Sequence, residues 1–268
     1  GAEALGRAWL AAGDTGKARE FVSLAMRQGA PSPAPSVLAA MARVHVAMDN
    51  FRAAGLLLRR AFAEPVCHEY AALADFLDAS GELARWRDVA AEYGLPARGV
   101  HELQLAIFAL HEKRGRVREA LALIAAEPSL VSDADEFRAA DGGVERVDCA
   151  RVRRAAVKAG EFDDGVKLLE RLVSLHSPDA AAEAETLQAA WAMRRGDEEG
   201  RLLHAVHAAE LRPASWEFAR HAAEIRLARN EASEARAVLG RFLAVSQSPS
   251  ERESAFELWE KAGAAMAR

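Results

Sequence analysis

The chain holds 268 residues, 51% hydrophobic and 28% charged, a globular composition with enough apolar side chains to build a core. A formal charge of −5 gives no basic field for nucleic acid or for an anionic membrane surface. No apolar run reaches the length of a membrane span, and Cys67 and Cys149 are too few for a disulfide framework, which leaves two unpaired thiols as the expectation.

From the N-terminus, Leu5-Gly6 and Trp9 precede Gly13, and Ala18, Val22 and Ala25 follow it, with Pro31 closing the stretch. The spacing predicts two helices joined at Gly13, with Gly6 and Ala18 as the small residues where they touch. A left-handed residue at a helix end favours glycine. The next turn is Asp49-Asn50, with Met41-Ala42 before it and Ala54, Leu58 and Ala61 after it. Gly81 follows Leu73-Ala74 and Leu77, Gly115 precedes Ala120 and Ile124, and Gly160 precedes Gly165, Leu169 and Leu172. Gly196 leads to Ala205, Ala208 and Pro213, and Asn230 to Ala235, Leu239 and Phe242. Successive turns stand 36, 32, 34, 45, 36 and 34 residues apart. Proline is excluded from helix interiors, and Pro31, Pro33, Pro35, Pro65, Pro96, Pro128, Pro178, Pro213 and Pro249 all fall outside the predicted ones.

This order resembles the tetratricopeptide repeat, which runs Leu-Gly-x-x-Tyr in a first helix and Ala-x-x-x-Phe ahead of a proline in a second. The resemblance implies an all-α fold: a right-handed superhelical solenoid of about seven antiparallel helix pairs plus a C-terminal helix. Its expected divisions are pairs one to four at 1–127, an acidic insertion at 128–147, pairs five to seven at 148–248 and a capping helix or truncated repeat at 249–268. Four positions that usually hold a small residue depart from the pattern, with Trp86 and Arg201 after their turns and Phe108 and Arg153 before theirs. The stretch from Pro128 to Asp148 carries Asp133, Asp135, Glu136, Asp141, Glu145 and Asp148 against Arg138 and Arg146, a local charge of −4. It reads as a solvated loop or a short extra helix, with a turn at Asp-Gly-Gly 141–143. Beyond it, Ser250 with Glu253 predicts a capping box, and Ala255, Leu258, Trp259 and Ala262 an apolar stripe. The chain opens Gly1-Ala2, without Met, inside the first predicted helix, the start expected of a piece of a longer protein. No signal peptide is visible, and the compartment, cytoplasmic or periplasmic, stays open.

Catalytic motifs are missing: no Walker loop, no Gly-x-Gly-x-x-Gly, no Gly-x-Ser-x-Gly and no Cys/His cluster. His204 and His207 share a helical face with Glu210, a set that can in principle hold zinc, but without the His-Glu-x-x-His spacing it reads as a solvated face. Asp75 and Asp78 resemble an acid pair and read as solvated carboxylates. His45 and His111 stand four residues before their turns and read as packed imidazoles with one satisfied nitrogen. The expectation is a non-enzymatic chain with no cofactor and no metal.

In the resembled family a concave surface is lined by the first helix of each pair. Projected onto it, this sequence places Arg7, Arg43, Asp75, Asp78 and Glu112, then Arg151, Arg154 and Lys158, then Arg194, Arg220, His221 and Glu224. Arg151, Arg154 and Lys158 share one helical face and suit a carboxylate-rich peptide, since arginine pairs with carboxylate in a fork. Members that grip acidic chaperone tails use Lys and Asn, and here Glu3, Arg7, Ala39, Arg43 and Ala71 lack the Asn, which argues against that subclass. The resemblance therefore implies a scaffold for a protein or peptide partner, an acidic one by the charges named, without nucleic acid or direct membrane insertion. Many bacterial members assist envelope assembly or polysaccharide export, and the Ala/Arg-rich composition fits a high-GC bacterial source. Two other readings stay open: an accessory region of a larger enzyme, and a self-associating solenoid.

Overall fold

The computed structural model describes residues 1–29, 32–64, 67–131, 147–176 and 179–266. Pro31, Pro65, Pro178 and most of the acidic interval, from residue 132 to 146, lie outside them. The described residues are helical, with one isolated parallel bridge between Val131 and Val147.

They form two compact units. Residues 1–116 hold α1 (Ala2–Ala11), α2 (Thr15–Gln28), α3 (Pro35–Val46), α4 (Phe51–Phe62), α5 (Tyr70–Ala79), α6 (Trp86–Glu92) and α7 (Ala97–Lys113). The second unit begins at Val117 and holds α8 (Val117–Ala126), α9 (Cys149–Ala159), α10 (Phe162–His176) and α11 (Asp179–Arg194). It continues with α12 (Glu198–Leu211), α13 (Trp216–Ala228), α14 (Ala232–Val245) and α15 (Pro249–Met266).

The turn residues singled out in the sequence adopt left-handed backbone: Gly13, Gly81, Gly115, Gly160 and Gly196 at φ between 71° and 82°, Asp49 at 54° and Asn230 at 61°. Asp and Asn are the side chains that tolerate this region best. At three of these turns a side chain then starts the following helix. Asp14 accepts the Lys17 amide at 2.9 Å, Asn50 the Ala53 amide at 3.3 Å and Asp197 the Gly200 amide at 2.8 Å, each satisfying an amide that has no partner within the helix. Asp148 does the same for α9 through the Arg151 amide at 2.6 Å. Pro249 opens α15, as proline can at a first helical position, so Ser250 sits inside the first turn rather than at the expected cap.

Within each unit the principal contacts join helices one or two apart along the chain. In the first, α1 packs on α2 and α3, α3 on α4 and α5, and α5 on α7. In the second, α9 packs on α8, α10 and α11, α12 on α11 and α13, and α15 on α13 and α14. Small residues make these approaches possible. Ala18, Ala54, Ala120 and Ala235 are completely buried. A Cβ on Gly165 would lie 2.6 Å from the Ala156 methyl and 2.7 Å from Leu187, and one on Gly6 would collide with Val22. Phe108 and Trp86, which break the small-residue pattern, are buried as apolar side chains. Arg153 and Arg201 break it with charges.

Candidate functional site

Arg153 stands in α9 seven residues before its turn, the position held by Gly6, Ala42, Ala74, Ala189 and Ala223 in other odd-numbered helices. A side chain there is enclosed by neighbouring helices, and that of Arg153 is only 13% exposed. Its Nε donates to Glu183 Oε2 in the first half of α11 at 2.5 Å, and its Nη2 to Glu217 Oε1 at the start of α13 at 2.7 Å. One guanidinium thus ties three helices together. Burial pushes the Glu183 carboxyl above its ordinary range, the Arg153 charge and hydrogen bond offset part of the rise, and Glu217 and Asp148 add to it. Glu217, in contrast, is exposed on its outer side.

His221 follows Glu217 by one helical turn. Burial first, then the charge of Arg201, holds its imidazole below the ordinary value; Glu224 acts against them, and Arg153 and Arg220 lower it further. Arg201 enters from α12, at the position where Ala18 or Ala54 sits elsewhere. Its Nη1 reaches Glu198 at 3.3 Å, while its buried Nε has no hydrogen-bond partner. A charged seam therefore runs across α9, α11, α12 and α13. Its sequence signal is arginine in place of a small contact residue, and Glu183 and Glu217 carry no such signal.

The residues expected on the binding face are distributed as follows. Arg154 is exposed, with Asp148 at 3.9 Å, and Arg220 is exposed, with Glu224 at 4.0 Å, both beyond the range of short charge-assisted bonds. Lys158 is exposed and Arg151 partly buried on the same helix. Arg194 lies at the other end of its helix, with Nη1 3.2 Å from where a Gly160 Cβ would stand and its guanidinium carbon 5.7 Å from the centre of the Phe162 ring. In the first unit Arg7 reaches Glu3 at 2.7 Å, Glu69 at 3.3 Å and the Ser36 carbonyl at 3.4 Å. Arg43 meets Asp75 at 3.4 Å, and Asp78 takes Arg116 at 2.7 Å and Arg114 at 3.2 Å. Asp75 and Asp78 are thus held by separate arginines. Glu112 is partly buried on α7.

His204 and His207 meet a carboxylate other than Glu210. Glu185, from α11, lies with one oxygen 2.7 Å from His204 Nδ1 and the other 3.0 Å from His207 Nδ1, while Glu210 lies 3.9 Å from Arg241. Among the described residues no group of three or more metal-ligating side chains is arranged to hold an ion. His45 Nδ1 is buried without a hydrogen-bond partner, and burial, with Arg19 nearby, lowers its pKa. Cys67 and Cys149 are buried thiols outside any disulfide, and burial pushes Cys67 up, away from the reactive thiolate. No helix among the described residues is long and apolar enough to cross a membrane.

The sequence matches no family model and no curated protein. The chemistry open to the seam is ionic and hydrogen-bonding: a fork donor already holding two carboxylates, with further cations at its edge.

Proposed function

We propose that the chain is a non-catalytic scaffold of the tetratricopeptide kind, a right-handed solenoid of seven helix pairs ended by α15, which binds an acidic segment of a protein partner on its odd-numbered helices. One observation carries the reading: Arg153 on α9 holds Glu183 on α11 and Glu217 on α13, with His221 one turn farther along α13, a row across three successive odd-numbered helices that reaches the surface at Glu217. Exposed Arg154, Lys158 and Arg220 supply positive charge beside it. Glu217 is the exposed member of the Arg153 network, so a partner carboxylate can take its place without unburying Glu183. Packing between helices near in sequence, left-handed turns and small contact residues support the solenoid part of the proposal.

The test is affinity capture from a lysate of the source organism, with quantitative mass spectrometry, comparing the wild type with Arg154→Glu/Lys158→Glu. Both residues are exposed, so the variant is expected to fold. A partner held by the wild type and lost by the variant supports the assignment, and identical capture by both refutes the seam as the binding face.

A further inference from the structure

In the second unit α8 and α10 build another surface, separate from the seam. Arg118 Nε donates to Glu161 at 2.7 Å and Arg171 Nη1 to the Ala125 carbonyl at 2.9 Å. These two ties join the start of α8 to the start of α10 and the end of α8 to a later turn of α10, so the two helices run in the same direction. Between the ties lies a cleft of about 380 Å³, within the range of small-molecule sites. Its floor is aliphatic, with Leu121 and Leu168 buried and Ala122 and Ala125 beside them. From Arg118 to Ala125 is seven residues of helix, about 10 Å of rise.

The lining decides the chemistry of the occupant. Apart from its charged residues the lining is Leu121, Ala122, Ala125 and Leu168, with no aromatic ring, amide or hydroxyl side chain, so polar groups held against those four would find no side-chain partner. A saturated chain meets no such penalty. The rim is charged unevenly: at one end Arg118 is bonded to Glu161, with Asp164 and Glu119 close by. Farther along α10 stand Arg171 and Lys167, and Lys167 has no ion-pair partner among the described residues. With Asp164 facing Arg118 at the other end, Lys167 beside an aliphatic trough matches an anionic head on an alkyl body.

We propose that this cleft binds a free, saturated alkyl carboxylate of medium length, with its chain along Leu121 and Leu168 and its head on Lys167. The test is calorimetric titration of the whole chain with sodium decanoate below its micellar concentration. One saturable site is expected, about fourfold weaker for octanoate, as two half-buried methylenes imply. Lys167→Glu should weaken binding at least tenfold, and so should Ala122→Trp, which fills the trough from an exposed position. Circular dichroism of both variants, expected to match the wild type, is the control for folding. Arg154→Glu/Lys158→Glu, at the seam, should leave decanoate binding unchanged. Absence of saturation overturns the proposal, as does equal binding of decyltrimethylammonium or indifference to both cleft variants. If decanoate fails while a helical peptide with Leu and Glu four apart binds and is lost in Ala122→Trp, the cleft takes a protein segment and the proposal is likewise overturned.

Discussion

Arg7 in the first unit and Arg153 in the second both reach from an odd-numbered helix to the next two. Arg7 touches the Ser36 carbonyl and Glu69, and Arg153 holds Glu183 and Glu217. They differ by one residue of register. Arg7 follows the small residue, Gly6, that lets its helices meet, whereas Arg153 occupies that small position itself. One step along a helix turns a side chain by about 100°, which is enough to take a guanidinium from 39% exposure at Arg7 to 13% at Arg153. The first is a partly exposed network with Glu3 and Glu69, screened by solvent and of smaller energetic weight. The second is a buried network in which removing one partner strands the other.

The largest expected effect tests that contrast directly. Arg153→Ala leaves Glu183 buried without its counter-charge and should cost about 3–5 kcal/mol in urea unfolding. Arg153→Met/Glu183→Met removes both charges and should recover much of the loss. A single substitution as mild as that at Arg7 would break the comparison. Next comes the close helix packing in each unit: Gly165→Ala forces a methyl against Ala156 and Leu187 and should cost about 1–3 kcal/mol, with a similar loss for Gly6→Ala against Val22. A clear difference between these two would show that the units tolerate close approach unequally.

Acid should act on both units. The imidazoles of His221 and His45 are held low mainly by burial, so the unfolded chain takes up protons that the folded chain refuses. Their stabilising contribution is complete above the ordinary imidazole value of about 6.5 and is lost as pH falls below it. Glu183 runs the other way: its carboxyl is raised, so ionisation weakens the fold and acid relieves that penalty. Stability measured from pH 7 to 5 should therefore fall, and His221→Gln should flatten the slope; an unchanged slope would remove His221 from the account. The smallest effect belongs to Arg7→Ala, about 0–1 kcal/mol and reduced further by salt. A loss above 2 kcal/mol would mean that the surface network is coupled more tightly than its exposure implies.

The helices and turns were legible because their signals are local. A left-handed residue at Gly13 or Asn230, a capping side chain such as Asp14, and an alanine such as Ala18 five residues past the turn each act within a few positions. The seam was legible only as an irregularity, arginine at 153 and 201 where the pattern wants a small residue. Its carboxylates were not: Glu183 and Glu217 lie 30 and 64 residues from Arg153, and their meeting depends on how separate helices are staggered, which periodicity does not encode. The histidines make the same point. Glu210 shares a helical face with His204 and His207, but the carboxylate that holds them, Glu185, comes from the helix before.

Val131 and Val147, buried and bridged side by side, bring the two ends of a fifteen-residue interval together before that interval begins. Trimming either side chain, Val131→Ala or Val147→Ala, should accordingly loosen the join between the end of α8 and the start of α9, read as faster amide exchange at both residues.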